Sequence, residues 1–251
     1  MNTLFLDVES SPTTAFTWRL FDATIPINHI VEPGKVICYS AKWRGDKKLY
    51  FDSVHKSSQN DMLEGIHELM SEADVLVHYN GLRYDLPVLN RDFLVCGLPP
   101  PPPVKSVDLY QVVKKKFSFV SNKLDWVCKQ LNLGSKVSNR GMDLWRGCMA
   151  NDAKAWVEME RYNRFDTVLL ERLYEKLLPW IPAHPNHGLY DDSDRPVCSN
   201  CGSEKMQRRG YSVTTTQRYA RYQCQGCGAW ARDAVGLLDK GRRASIMRRI
   251  T

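Results

Sequence analysis

The chain has 251 residues, 43% apolar and 25% charged, with a net charge of +7, an ordinary globular composition with room for one large domain or a domain plus a small module. No strictly apolar run exceeds four residues (Val36–Tyr39, Phe93–Cys96), which excludes a membrane-spanning helix of about 20 residues. Met1-Asn2-Thr3-Leu4 has no basic stretch leading into an apolar one, so no secretory leader is expected and the expected compartment is a reducing cytoplasm.

In chain order, Thr3–Glu9 reads as a buried strand that two carboxylates, Asp7 and Glu9, interrupt. Residues 10–34, with Pro12, Pro26 and Pro33, read as a long loop. Lys35–Trp43 and Lys48–Val54 read as a hairpin around Gly45-Asp46. Asp61–Glu72 carries Met62, Leu63, Ile66, Leu69 and Met70 at helical spacing. Asp74–Asn80 is a short apolar strand, and Asp85–Val95 a helix with Pro87 in its first turn, where proline is tolerated. The proline run 99–103 breaks that helix. Val104–Leu109 reads as an edge strand leading into a helix, and Lys123–Leu131 as a helix stopped by Gly134. Ala153–Leu178 is helical, with a break expected near Glu160, and ends at Pro179 and Pro182. This order suits a mixed sheet covered by helices, an α/β layer fold.

Three elements carry acids that need a reason. Asp7 and Glu9 are two apart on a strand and share one face. Like charges there are costly unless neutralised, and a hard divalent cation with oxygen ligands does so. Asp85 stands where a buried strand passes into a helix, at the kind of sheet edge where α/β proteins bind ligands; an N-cap is the plainer reading. Tyr162 and Asp166 are four apart on the last long helix, heading the apolar stripe of Leu169 or Leu170, Leu173 and Leu177. There a structural hydrogen bond or ion pair is the plainer reading.

Asp-x-Glu on the first strand, Asn80-Gly81-Leu82-Arg83-Tyr84-Asp85 after a later one, and Tyr162-Asn163-Arg164-Phe165-Asp166 on a late helix occur in this order. The set resembles the tyrosine subclass of the DEDD exonuclease superfamily, on an RNase-H-like fold. Ser121-Asn122-Lys123-Leu124-Asp125 and Leu131-Asn132-Leu133-Gly134-Ser135-Lys136 are similar to a branch found in bacteriophages and YprB-type proteins. The resemblance spans about residues 3–180. It implies hydrolysis of phosphodiester bonds from a 3′ end by two magnesium or manganese ions held by Asp7, Glu9, Asp85 and Asp166. Tyr162 would orient the attacking water, since a phenol with a pKa of about 10 is a poor base at neutral pH. Asn80 would contact substrate or brace its loop, and Arg83, Tyr84 and Lys123 read equally well as contacts to phosphate or base and as solvated surface. Asp108 reads as a helix N-cap, with a place in the site as the alternative, and His78 as a packed strand residue rather than a ligand.

His184 to Pro196 reads as a linker, rich in Pro, Asp, Asn and Gly. The tail beyond it carries 12 basic and 3 acidic residues from Arg195 to Thr251, a charge of +9, against −2 for residues 1–194. That split points to a polyanion, most simply nucleic acid. Cys198-Ser199-Asn200-Cys201-Gly202 and Cys224-Gln225-Gly226-Cys227-Gly228 are two Cys-x-x-Cys-Gly knuckles, a donor set suited to one structural zinc ion. Cys38, Cys96, Cys128 and Cys148 read as scattered thiols. Between the knuckles, Arg208 to Gln223 is rich in β-formers and resembles the hairpin of a zinc ribbon, with Arg218, Tyr219, Arg221 and Tyr222 as candidate contacts to an unpaired strand. Lys240–Arg249 reads as a flexible basic extension.

The expected organisation is a nuclease domain over 1–182, a linker over 183–196 and a ribbon with basic extension over 197–251. The expected activity is 3′–5′ exonucleolytic, on DNA in preference to RNA and at single-stranded ends. The alternatives are a structure-specific endonuclease and a catalytically idle zinc-ribbon factor. No membrane partner is expected; replication or recombination proteins are candidate partners, in the host cytoplasm if the chain is phage-encoded.

Overall fold

The computed structural model describes residues 1–19, 21, 24–192 and 195–248. Parts of the expected 10–34 loop, two linker positions and the last three residues of the basic extension lie outside that set. The chain divides into two compact units, Met1–Tyr174 and Glu175–Thr251. Among the described residues no helix is long and apolar enough to cross a membrane.

The first unit is built on a five-stranded mixed sheet. Its strands are β1 (Thr3–Ser10), β4 (Val36–Trp43), β5 (Leu49–Ser53), β6 (Val75–His78) and β7 (Lys105–Asp108), in the order β5-β4-β1-β6-β7. β4 pairs antiparallel with both β1 and β5, and a tight turn with Gly45 at φ +78° joins β4 to β5. β1, β6 and β7 run parallel, as helical crossovers require: α1 (Gln59–Ser71) precedes β6, and α2 (Asp85–Val95) links β6 to β7. Ser58 caps α1 by accepting the Asp61 N–H.

Alternation along β1 decides what each face does. Leu4, Leu6 and Val8 join Tyr39, Ala41, Met62, Leu63, Ile66, Leu89 and Phe93 in the main core. Phe5, Asp7 and Glu9 point to the other face, where Phe5 meets Tyr174 edge-on at 5.3 Å. Tyr174 belongs to α6 (Ala153–Leu177), so this long helix covers the face that carries the acids.

α3 (Leu109–Lys116) and α4 (Leu124–Gln130) follow β7. Three features depart from the sequence expectation. α6 runs unbroken through Glu160, whose carboxylate faces outward to Lys56 and to Arg164 one turn on. α5 (Met142–Met149) was not expected; it buries Leu144 and Cys148. The 10–34 segment contains a small two-stranded sheet, β2 (Thr14–Ala15) with β3 (Ile30–Glu32).

The second unit contains a three-stranded antiparallel sheet, β8 (Met206–Val213), β9 (Arg218–Cys224) and β10 (Trp230–Arg232), in the order β10-β9-β8. A bulge at Arg209-Gly210 shifts the β8–β9 register. Lys240–Ala244, expected as flexible, forms a short helix, α7, capped by Asp239. Gln217 straps the preceding segment to the hairpin: its carboxamide donates to the Leu238 carbonyl and accepts the Leu238 N–H. The architecture is mixed α/β and RNase-H-like, with a cluster of four cysteines compatible with a zinc ribbon.

Candidate metal and nucleic-acid site

β1 and α6 bring three acids into one place. Carboxylate oxygens of Asp7, Glu9 and Asp166 lie within 4.8 Å of one another. Asp85 enters from the first turn of α2 and shares with Asp7 a cleft of about 640 Å³, also lined by Tyr79, Tyr110 and Lys136. Asp85 is not the N-cap of α2: Tyr84 is, with no side-chain bond. The loop before it is tight. A Cβ on Gly81 would stand 2.6 Å from the His78 ring and 2.9 Å from Asp85 Oδ2, so only glycine fits without moving one of them.

The electrostatics describe a cluster with too much negative charge for its surroundings. Burial, then the charges of Asp166, Glu9 and Asp85, push the Asp7 carboxyl well above the usual range. Burial lifts Glu9 to about 8 against the pull of Lys136. Burial likewise raises Asp85 to about 6 and raises Asp166, which Lys136 and Tyr162 hold back. Asp166 Oδ1 is buried with no hydrogen-bond partner among the described residues. Oxygen donors only, excess negative charge and an orphaned carboxylate oxygen fit hard divalent cations.

Two residues that contact the acids escaped the sequence reading. The Lys136 ammonium donates to Asp166 Oδ2 and, at 3.2 Å, to the Tyr162 hydroxyl. Burial alone would lower its pKa, but Asp166, Tyr162 and Asp7 raise it, so the lysine stays charged. It lies on an irregular loop after Gly134, where no periodicity marks it. Asn163 is buried in α6; its carboxamide donates to Asp7 Oδ2 at 2.7 Å and to the Asp7 carbonyl at 3.3 Å. Ser40 on β4 donates to the Asn163 carbonyl at 2.9 Å and also bonds Thr167. This network fixes Asp7 without adding a positive charge beside it. An asparagine at a core position of an amphipathic helix is the signal that could have found it.

Tyr162 packs edge-on against Trp145 at 6.2 Å. Burial and the Asp166 charge raise its hydroxyl pKa, so it stays a neutral phenol. Asn80 lines the cleft at φ +64°, a left-handed conformation that asparagine tolerates. Its N–H is held by Asp108 at 2.8 Å, and Asp108 also caps α3. Tyr84 and Lys123 line the cleft; Arg83 is exposed, its guanidinium 5.4 Å from the Tyr84 ring. His78 is buried and bonded to Ser106 and the Gly81 N–H.

In the second unit Cys198, Cys201, Cys224 and Cys227 converge, with Sγ–Sγ distances of 3.7 Å for Cys198–Cys227 and 3.6 Å for Cys201–Cys224. A zinc tetrahedron with bonds of about 2.3 Å has edges of about 3.8 Å, so the cluster fits that ion. Burial would raise the Cys224 thiol, yet the N–H groups of Cys227 and Gly226 aimed at its sulfur bring it down to about 7. Arg218, Tyr219, Arg221 and Tyr222 all lie on β9, but alternation sends Tyr219 and Arg221 to one face and Arg218 and Tyr222 to the other.

No curated protein matches. Among solved structures, the family B DNA polymerase from the hyperthermophilic archaeon Pyrobaculum calidifontis is similar, with a TM-score of 0.55 and 20% identity over 71% of this chain. The matched part is 24% of the polymerase, so the chain spans about a quarter of that protein's length; at this identity the likeness shows the fold alone. The model of the RNase_H superfamily matches residues 33–178, beginning after Asp7 and Glu9 and including Asp85, Lys136 and Asp166. That stretch is more than half of the sequence and holds four of the five strands of the central sheet, and the chain belongs to the RNase_H superfamily.

Proposed function

We propose that the protein is a metal-dependent 3′–5′ exonuclease of the DEDD superfamily's tyrosine subclass, acting on single-stranded DNA ends. The observation that carries this reading is the convergence of Asp7, Glu9 and Asp166 within 4.8 Å beneath Tyr162 and Lys136. Asp7, Glu9, Asp85 and Asp166 would hold two magnesium or manganese ions. Bound there, the ions supply acidity for the attacking water and positive charge for the departing oxygen. Asn163 holds Asp7 in one rotamer. Tyr162, a neutral phenol, orients the water by a hydrogen bond. Lys136 keeps both the phenol and Asp166 in place. Asn80, Tyr84 and Lys123, on the cleft wall, would position the strand, with Arg83 beside them. Asp108 supports this wall through the Asn80 backbone.

In this reading residues 1–182 form the nuclease body, and the 197–251 ribbon, closed by one zinc ion on Cys198, Cys201, Cys224 and Cys227, holds nucleic acid. The test is hydrolysis of end-labelled and circular DNA, with magnesium supplied or withheld. Magnesium-dependent release of mononucleotides from the 3′ end is the expected result. Nicking of circles would favour a structure-specific endonuclease. Binding without hydrolysis of any substrate would favour an idle nucleic-acid-binding factor.

A further inference from the structure

The ribbon sheet has two unlike faces, and one of them carries a ladder of guanidinium groups and rings. In β8–β10, Trp230 stands opposite Gln223 and Gln223 opposite Gln207, while Arg232 stands opposite Arg221. Directly paired residues share a face, and residues two apart along a strand do as well. Trp230, Arg232, Tyr219 and Arg221 therefore lie on one face. The Arg221 guanidinium lies 4.9 Å from the Trp230 ring centroid, and that of Arg232 lies 4.2 Å from the Tyr219 centroid. The opposite face holds Ala220 and Cys224, both buried, and Tyr222, whose hydroxyl is within 3.4 Å of Asp233.

Arg221 is set in advance. The β8 bulge frees the Arg209 carbonyl, which accepts Arg221 Nε at 3.0 Å. Trp230, on an edge strand, is 53% exposed, an arrangement that burial in a small core does not explain. The segment from Lys205 to Arg232 contains six basic residues and no acidic one, so its charge complements a polyanion along its whole length.

Resting on the reading of the ribbon as a nucleic-acid holder, we propose that this face binds unpaired strand, with Trp230 and Tyr219 stacking on bases and Arg221 and Arg232 meeting phosphates. A paired duplex hides the flat sides of its bases, whereas a single strand offers them to a ring. The arginines divide by role: Arg218 and Arg208 flank Tyr211 on the other face, at 4.6 and 5.5 Å, and would add charge without base contact.

The test uses the full zinc-loaded chain carrying Asp166→Ala, so that no strand is consumed and no chelator is needed. Affinity is measured for a labelled oligothymidylate, an abasic strand of the same length, and a duplex competitor. Trp230→Ala should weaken binding to the oligothymidylate about tenfold, the effect of roughly 1.4 kcal/mol of stacking, and leave abasic-strand binding unchanged. Trp230→Phe, which keeps a ring, should restore most of the loss. Joint Arg221→Gln and Arg232→Gln should weaken both strands and lower the salt slope by about one to two. Equal loss on both strands from Trp230→Ala, the same loss from Tyr211→Leu, or equal competition by duplex would overturn the proposal. Hydrolysis by the unsubstituted chain is measured separately. Base-dependent binding without hydrolysis would sink the nuclease reading and support this one.

Discussion

At the scale of single residues, the acids and the groups that hold them make different demands. Glu9 titrates near 8 in the metal-free cluster, raised by burial above all. A carboxyl raised on folding keeps its proton in the fold where the unfolded chain has lost it, so metal-free stability should fall from about pH 4.5 to about pH 8 and level off above that. Glu9→Gln should reduce that fall, leaving the part that Asp7, Asp85 and Asp166 contribute, and abolish turnover, a pairing that thermal melts at about pH 5 and about pH 8 with metal withheld, together with a rate assay, will check. Asp166→Ala should behave otherwise, because it strands the charged Lys136 and costs stability even as it removes repulsion. Tyr162→Phe removes one hydroxyl and neither ligand nor charge. If that hydroxyl positions water, single-turnover hydrolysis should slow by one to three powers of ten, roughly 1.5–4 kcal/mol, at unchanged magnesium affinity. An unchanged rate at saturating magnesium would leave Tyr162 a packing residue beside Trp145. The acids were legible because each sits in a patterned element, at a fixed offset on a strand or a helix. Lys136 was not, because a loop residue gains its meaning only from what the fold places beside it.

At the scale of elements, the connection from β6 to α2 shows a turn specified by a few contacts. The Gly81 N–H donates to His78 Nδ1 at 3.0 Å, so Nε2 carries the proton and donates to Ser106 Oγ at 2.6 Å. Protonating Nδ1 would break the Gly81 bond inside the protein. Burial accordingly lowers the His78 pKa from 6.5 to about 4, against the pull of Asp108. With the folded value depressed, its stabilising effect is complete above pH 6.5 and is lost progressively as pH falls toward 4, on the order of 3 kcal/mol in all. Urea unfolding of the wild type and His78→Gln at pH 7.5 and 5 should show the gap between them narrowing at the lower pH; a constant gap would mean that His78 does not titrate. Elements with long periodic patterns were legible in the sequence, as α1 and the β4–β5 hairpin were. α6 was legible except for its continuity: the charged surface run around Glu160 interrupts the view, while Trp156, Met159, Asn163, Asp166, Leu170, Leu173 and Leu177 keep the buried stripe going. The β2–β3 pair and α7 were missed because each is too short for a period to register; α5, longer than α4, was missed because its N-cap is Gly141 with no side-chain bond, so no capping residue marks its start.

At the scale of the whole molecule, charge and chemistry are divided along the chain. The acids that would hold cations occur before residue 170, in a stretch of near-neutral charge, and the +9 excess begins at Arg195. A basic tail can act as mere charge or as an arranged surface, and salt separates the two. Each phosphate contact contributes about 0.7 to the slope of log affinity against log salt on a single strand. Removing residues 195–251 should weaken binding at low salt and flatten that slope. Replacing Cys198 and Cys224 by serine leaves every cation in place but removes two of the zinc ligands, so the folded sheet is lost while the charge remains. This variant should keep most of the slope, because an unfolded cationic chain still displaces counterions. It should lose the salt-independent part of the affinity, since stacking needs the rings held on one face. Affinity titrations across a range of salt for the three chains decide the matter. A slope unchanged by the deletion would confine the tail to a role other than holding nucleic acid, and a zinc-site variant indistinguishable from the wild type at high salt would reduce the ribbon to its charge.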